Sequence, residues 1–197
     1  MIDTTMIRIL GAFFYYPPQS DTLRNVYSVL GELPQLCTWD NPEKIQAICT
    51  SLSQTQPDDI SYDYSILFEG QGSMPAPPWG SVYLEHDNTV MGESTAAYRD
   101  FLQAKGLVTD TGIREPEDQF GLMMMAVSAL AEQEDDSAVI ALFEQHLLPW
   151  AYRYLELVQQ SKTESTFYPS LAQITEIYLK SLQLKLELSP VRAELFR

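Results

Sequence analysis

Histidine, cysteine and basic residues are scarce in this sequence. Its 197 residues include 2 His, 2 Cys and 12 Lys+Arg against 27 Asp+Glu, so the formal net charge is −15. An acidic surface repels the phosphates of nucleic acids and anionic lipids, which argues against both as partners. It attracts a basic peptide or a cation, or it only keeps the protein soluble; composition leaves these two interpretations open.

The few cysteines and histidines do not form a recognisable reactive set. Cys37 and Cys49 are too far apart in sequence for a metal knuckle or a redox pair. A single disulfide stays open, but two free buried thiols in a reducing compartment are favoured. His86 and His146 have no metal-ligand spacing. We therefore expect no metal and no cofactor.

Long apolar runs are also missing. No run approaches the ~20 residues that span a membrane. The opening "MIDTTMIRILGAFFYYPP" has an apolar stretch, but Asp3 precedes it and no small-residue cleavage site follows. The sequence therefore predicts a cytoplasmic protein without stable membrane insertion.

Helical patterns dominate what is present. Ile7, Leu10 and Phe14 recur at helical spacing before the stop at Pro17, and Asn41 precedes a proline as the N-cap of another helix. Further helices are predicted over 21–30, 60–70, 93–105, 115–133, from 135, where Asp135 is the N-cap, with a break near 149, and from 167 onward. The prediction is all-α: a single-domain bundle, 1–197, of roughly eight to ten helices with one long Pro/Trp-containing loop.

That loop is "MPAPPWGSVYLEHDNTVMGEST", residues 74–95. Its β-branched alternation and turn residues over 81–91 locally predict a β-hairpin. Connecting loops are normally polar, whereas this one is apolar and stiff. It either packs into the core or presents a rigid surface to a partner, and the residues alone leave both open.

Two carboxylates and a methionine run have competing interpretations. Glu115 and Asp118 form an acid/base pair of a helical enzyme, or they stabilise the positive end of a helix dipole, which is favoured. Asp118 is predicted to be exposed in the first turn of that helix. The run Met123–Met125 lines an adaptable peptide groove or, as is favoured, belongs to the core.

Two blocks of the sequence carry a resemblance. "YSILFEGQGSMPAPPWGSVYLEHDNTVMGEST" and "EPEDQFGLMMMAVSALAE" resemble the signature blocks of the TorD/DmsD family of redox-enzyme maturation chaperones. "PPWGSVYLE", "HLLPWAYRYLE" and the final "LFR" resemble the branch that serves dimethyl sulfoxide reductase. The resemblance spans nearly the whole chain, from "ILGAFFYYPP" onward.

The resemblance implies an all-α fold, so a hairpin at 81–91 conflicts with it, and it implies no catalysis. It implies a cytoplasmic chaperone that binds the twin-arginine signal peptide of a molybdoenzyme precursor and holds back export until the molybdenum cofactor is inserted. Components of the Tat translocase are further expected partners. The signal peptide, two arginines followed by an apolar stretch, suits an acidic protein with an apolar groove.

The family's binding residues carry over onto both blocks and one later position. They fall on Pro77, Pro78, Trp79, Gly80, Ser81, Tyr83, Glu115, Pro116, Asp118, Gln119, Phe120 and Trp150. Gln119 departs from the family pattern, which usually has histidine there. Glutamine keeps both a donor and an acceptor but cannot become cationic near neutral pH, so only a role that needs a protonated ring is in doubt.

Overall fold

The computed structural model describes residues 3–108, 112 and 115–197. Its ordered elements in that part of the chain are helical, and none is a strand. The ten α-helices are α1 Thr5–Tyr15, α2 Asp21–Arg24, α3 Pro42–Ser53, α4 Ser61–Phe68, α5 Ser81–Leu84, α6 Glu93–Ala104, α7 Phe120–Glu132, α8 Asp136–Ala141, α9 Leu148–Gln160 and α10 Phe167–Lys185. The prediction of an all-α bundle is confirmed.

Several helix boundaries follow the predicted caps. The side chain of Asn41 accepts the backbone N–H of Lys44 at 3.0 Å, and that of Asp135 accepts the N–H of Ala138 at 2.9 Å. The helix predicted over 21–30 is wrong in its extent, because α2 ends at Arg24 and the chain continues as a 3₁₀ helix, Tyr27–Gln35. Pro34 lies inside that segment and has no N–H to donate.

The bundle core is built around the contact between α1 and α7. A Cβ on Gly121 would lie 2.5 Å from the carbonyl oxygen of Gly11, so the two helices touch backbone to backbone at this point. Phe14 and Phe120 pack edge to face beside the contact, with ring centroids 5.0 Å apart. A side chain at either position would clash, so the two glycines allow the first turn of α7 to lie directly against α1.

The methionine run belongs to this core. Met123 and Met124 are 1% and 0% exposed, and only Met125 is half-buried. The favoured core interpretation of this run is therefore confirmed for the first two methionines.

The predicted hairpin at 81–91 is wrong. Ser81–Leu84 forms a helical turn, and bends and turns follow it. Val82 and Tyr83 are both buried although they are neighbours, whereas a strand would place them on opposite faces. The turn forms because the Asp118 carboxylate accepts the backbone N–H of Ser81, which caps the start of α5.

The break predicted near Pro149 is a π-helical segment. Leu142–Leu147 forms it, and α9 begins at Leu148 with the proline in its first turn. After α10 the chain has no regular structure. Residues 189–197, here called the closing segment, pack against the surface of the bundle. None of the described helices combines the length and apolar character needed to cross a membrane.

Candidate functional site

The two sequence blocks meet in a short antiparallel β-bridge. Trp79 pairs with Gln119. The N–H of Phe120 donates to the carbonyl of Pro78 at 2.7 Å, and that of Gly80 donates to the carbonyl of Asp118 at 3.1 Å. Residues 78–80 and 118–120 therefore form one rigid wall, here called the bridge.

Neighbouring residues of the bridge face two different pockets. Gly80 and Asp118 line the first, and Trp79 and Gln119 line the second. This division follows from extended backbone, in which successive side chains point to opposite faces. The bridge therefore separates the two pockets.

The first pocket, here called the Asp118 pocket, has a volume of about 410 Å³. Its walls are mostly apolar and aromatic, and include Tyr98, Met123, His146 and Trp150. Trp150 is held in place by a hydrogen bond from its Nε1 to the carbonyl of His146 at 2.9 Å and by stacking on Tyr83. Burial lowers the pKa of His146, so the imidazole favours its neutral form.

The Asp118 carboxylate is buried in this pocket with one oxygen unsatisfied. The residue is 3% exposed. Its Oδ2 accepts the Ser81 N–H at 2.7 Å, while its Oδ1 is buried without a hydrogen-bond partner in the described structure. Burial raises the pKa of Asp118, and the backbone and hydroxyl of Ser81 and the hydroxyl of Thr95 oppose that shift in part. A buried carboxylate that has neutral donors but no cationic partner suits a cationic group that donates hydrogen bonds.

An ion pair fixes the segment that carries Asp118. Arg99 of α6 donates from Nε and a terminal nitrogen to the two carboxylate oxygens of Glu117, at 2.6 and 2.8 Å. The hydrogen bonds from Arg99 lower the pKa of Glu117, against a smaller opposing effect of burial. Glu117 is therefore already paired, and the carboxylates on either side of it, Glu115 and Asp118, are not paired with a cation in the described structure.

The second pocket, here called the Glu115 pocket, has a volume of about 500 Å³. Aromatic side chains and two carboxylates line it: Tyr15, Tyr16, Tyr64, Phe68, Glu69 and Glu115. The indole Nε1 of Trp79 donates to Oε1 of Glu115 at 2.7 Å. Burial raises the pKa of Glu115, and the Trp79 hydrogen bond partly offsets the rise. Aromatic faces beside carboxylates suit a flat cation such as a guanidinium.

Gln119 uses both ends of its side chain within the fold. Its Nε2 donates to the carbonyl of Phe14 at 2.8 Å, and its Oε1 accepts the N–H of Leu122 at 2.9 Å. The residue is 3% exposed, so it caps α7 and ties that helix to α1. Gln119 therefore makes hydrogen bonds within the fold, and its role in peptide binding stays a prediction.

Replacement of Gln119 by histidine tests this double role. A neutral imidazole supplies one donor and one acceptor, so Gln119→His should retain stability at pH 8. In the folded protein the helix cap needs an unprotonated ring nitrogen, which depresses the folded-state pKa below the unfolded value of about 6.5. The stabilisation by the helix cap is then fully present above the unfolded pKa, and it is lost as the pH falls through the folded pKa.

Thermal unfolding measured from pH 8 to pH 5 should show an added loss of about 1 kcal/mol at the acid end for Gln119→His. Gln119→Ala, which has neither donor nor acceptor, should show a loss that does not depend on pH. Equal pH profiles for Gln119→His and the parent chain would contradict the capping role.

Most of the predicted site residues are buried. Only Trp79 and Glu115 are half-exposed. The other ten are buried: Pro77, Pro78, Gly80, Ser81, Tyr83, Pro116, Asp118, Gln119, Phe120 and Trp150. Phe120 is fully buried against Tyr154, with ring centroids 4.8 Å apart, and a Cβ on Gly80 would lie 2.8 Å from Trp150 Nε1. The Pro/Trp loop is therefore mainly core, and it presents Trp79 at its edge.

The predicted exposure of Asp118 is wrong. Asp118 does not lie in the first turn of α7, because that helix begins at Phe120 with Gln119 as its N-cap. The carboxylate turns inward to cap α5 and lines the floor of a pocket instead of standing on the surface.

The acid/base pair expected of an enzyme is not brought together in one cleft. Glu115 and Asp118 line different pockets, on opposite sides of the bridge. Both pKa values are raised, but burial is the main cause at each site. In the described part of the chain, no three His, Cys, Asp or Glu side chains are grouped to hold a metal ion.

Sequence reasoning missed several residues that line the pockets. Tyr98 and His146 line the Asp118 pocket, and the tyrosine doublet at 15–16 forms a wall of the Glu115 pocket. The doublet could have been recognised from the sequence. Two adjacent tyrosines at the end of an amphipathic helix are more than its apolar face needs, so one of the two could be expected outside the core. The others lie in ordinary helical patterns without a local signal.

Comparison with known proteins agrees with this architecture. A profile of the family described as "Nitrate reductase delta subunit" matches residues 39–156. A protein from Haemophilus influenzae, the probable Tat proofreading chaperone DmsD, is 34% identical over 96% of this chain and 94% of its own length. The Tat proofreading chaperone DmsD of Salmonella typhimurium is 30% identical over 96% and 93%, respectively. The Escherichia coli chaperone protein YcdY is also 30% identical, over 92% and 94%.

A solved structure shares the fold. It is a crystal structure from Archaeoglobus fulgidus, described as a candidate redox enzyme maturation protein, with a TM-score of 0.62 at 17% identity. It covers 91% of this chain and 95% of its own. The class is thus that of all-α chaperones. The chain belongs to the nitrate reductase delta subunit family, which includes the TorD and DmsD chaperones, and the resemblance noted in the sequence is confirmed.

Proposed function

We propose that this chain is a cytoplasmic, single-domain chaperone that binds the twin-arginine signal peptide of a molybdoenzyme precursor. The precursor is the catalytic subunit of an enzyme of the dimethyl sulfoxide reductase type, and the chaperone delays its export until the cofactor has been inserted. The names of the relatives support the chaperone role and the proofreading step. Components of the Tat translocase are proposed as later partners on the same basis.

The single observation that carries this proposal is the pair of pockets on either side of the bridge. Each pocket combines aromatic or apolar walls with a carboxylate that has no cationic partner in the described structure. In an extended peptide, neighbouring side chains point in opposite directions. Two adjacent arginines that cross the bridge would therefore enter different pockets, one toward Asp118 and the other toward Glu115.

The proposed binding reaction has an ionic part and an apolar part. Guanidinium–carboxylate contacts are weakened by salt, whereas burial of the apolar stretch is not. Between low and physiological salt, isothermal titration calorimetry with a client signal peptide should show a modest loss of affinity. The heat-capacity change should be negative. Complete loss of binding at moderate salt without a heat-capacity change would mean that the contact is purely ionic.

Co-purification tests the identity of the client. The tagged chain should retain a molybdoenzyme precursor with an intact Arg-Arg pair and lose a matched precursor in which both arginines are alanine. Equal retention of both precursors would contradict recognition of the pair. Retention that survives removal of the whole signal peptide would place the contact elsewhere on the precursor.

A further inference from the structure

The closing segment, residues 189–197, lies along the same site. Its Val191 lines the Asp118 pocket, and the N–H of Val191 donates to the carbonyl of Glu144 at 2.9 Å. Five residues further on, the N–H of Phe196 donates to the carbonyl of Tyr83 at 3.0 Å. Tyr83 stacks on Trp150, which is another wall of this pocket. The segment therefore runs from one rim of the pocket to the Pro/Trp loop.

The far end of the segment is also held by the Pro/Trp loop. The guanidinium of Arg197 donates to the carbonyl of Met74 at 2.7 Å. The side chain of Asn88 donates to the carbonyls of Val82 and Phe196, at 2.8 and 3.2 Å. The Phe196 ring packs on His86 with centroids 5.3 Å apart. Side chains make these contacts, and the main-chain hydrogen bonds from Val191 and Phe196 hold the segment in the manner of a docked peptide.

The segment contributes little to the core. Residues 191–195 are all exposed, including Val191 at 56% and Leu195 at 37%. The last buried residue before it is Leu188, at 6%. Exposed backbone hydrogen bonds with few apolar contacts are characteristic of regions that open at low free-energy cost. Release of the segment would therefore expose little apolar surface of the bundle core.

Its sequence, "SPVRAELFR", combines two arginines and one glutamate with Val, Leu and Phe, so its side chains are net positive in a strongly acidic protein. This is the same chemistry that the proposed function assigns to the client: positive charge next to apolar side chains. We propose that the closing segment is a built-in competitor, which occupies part of the signal-peptide site in the free chaperone and is displaced by the client. The inference rests on the proposed function.

Competition has a quantitative consequence. When the binding-competent state is only a fraction of the population, the apparent affinity falls by that fraction. If the segment is docked in about 90% of free molecules, removing it should tighten client binding about tenfold. A docked segment that only supports the fold would have the opposite effect, because its removal would loosen the pocket rim.

The main experiment compares the full chain with a chain that ends at Leu188. Isothermal titration calorimetry with a client signal peptide should give an affinity about tenfold higher for the shortened chain. Circular dichroism should show an unchanged helical spectrum. Equal or weaker binding by the shortened chain would overturn the inference. Absence of binding to both chains would instead overturn the proposed function itself.

A point variant keeps the test valid if the shortened chain does not fold. Val191→Pro removes the N–H that donates to Glu144 and should tighten client binding about threefold, as one hydrogen bond of the segment is lost. Val191→Ala keeps that N–H, so comparison of the two variants separates loss of the hydrogen bond from loss of the Val191 side chain in the pocket. A synthetic peptide of residues 189–197 should bind the shortened chain and slow client association. Failure of this peptide to compete would also overturn the inference.

Discussion

Asp118→Asn should weaken binding of a client signal peptide about thirtyfold, or about 2 kcal/mol, without destabilising the fold. The amide oxygen of asparagine still accepts the Ser81 N–H that caps α5. What disappears is the charge-assisted contact to arginine, which is stronger than a neutral hydrogen bond. Titration calorimetry gives the affinity, and thermal unfolding at pH 7 gives the stability.

The difference in stability between Asp118→Asn and the parent chain should depend on pH. Burial raises the folded-state pKa of Asp118 above its unfolded value. A raised acid pKa favours folding below the unfolded pKa, and this contribution is lost as the pH rises through the folded pKa. At pH 7 the buried charge therefore costs stability, so Asp118→Asn should melt at the same or a higher temperature. The difference from the parent chain should shrink toward pH 4.

Asp100→Asn is the matched control. Asp100 is an exposed carboxylate on α6, so its neutralisation changes the net charge equally without touching the pocket. Affinity should fall only slightly in this variant. An equal fall in both variants would reduce the role of Asp118 to long-range attraction, and an unchanged affinity in Asp118→Asn would remove the Asp118 pocket from the site.

Trp79→Ala should have an effect at least as large on affinity, about thirtyfold or more. Tryptophan at the centre of an interface commonly contributes ~2 kcal/mol or more. Trp79 is half-buried and packs on the edge of the core, so the loss of stability should stay below the ~3–5 kcal/mol of a fully buried tryptophan. Signal-peptide affinity and melting temperature, measured together, separate the two contributions.

Trp79→Phe distinguishes the ring from its N–H group. Phenylalanine keeps an aromatic face in the Glu115 pocket but cannot donate to Glu115. Because that hydrogen bond holds down the pKa of Glu115, the pKa should rise further in this variant. Affinity should then fall by only about threefold near pH 7 and more steeply as the pH is lowered. For the alanine variant, a failure of Trp79→Ala to fold would show that Trp79 is a core residue and not a peptide-binding residue.

Much of the fold could be predicted from the sequence, because the patterns that define its helices are local. The Asn41 and Asp135 caps and the apolar face of α1 each depend on residues within a few positions of one another. The hairpin prediction failed because the alternation over 81–91 is local, whereas the turn at Ser81–Leu84 is set by a carboxylate 37 positions away. Tertiary contacts outweighed strand propensity there.

The candidate site was accessible only in outline. The sequence indicated which two blocks belong together, but not that the bridge divides them into two pockets. Charge at Asp118 suggested exposure, since ionised carboxylates are rarely buried without a partner. The structure buries it, and no pattern in the surrounding residues distinguishes this from an ordinary helix start. Burial of a single polar side chain depends on what packs over it from distant segments.

The glycine contact between α1 and α7 has a consequence for mutational screens. Gly11 and Gly121 line neither pocket, yet they set the position of the residue that begins α7, immediately after the bridge. Any side chain at Gly121 must push the two helix backbones apart, and the wall between the pockets shifts with them. Under the proposed function, substitution of either glycine should weaken peptide binding although neither residue touches the peptide, so a screen based on binding would wrongly assign both to the recognition surface.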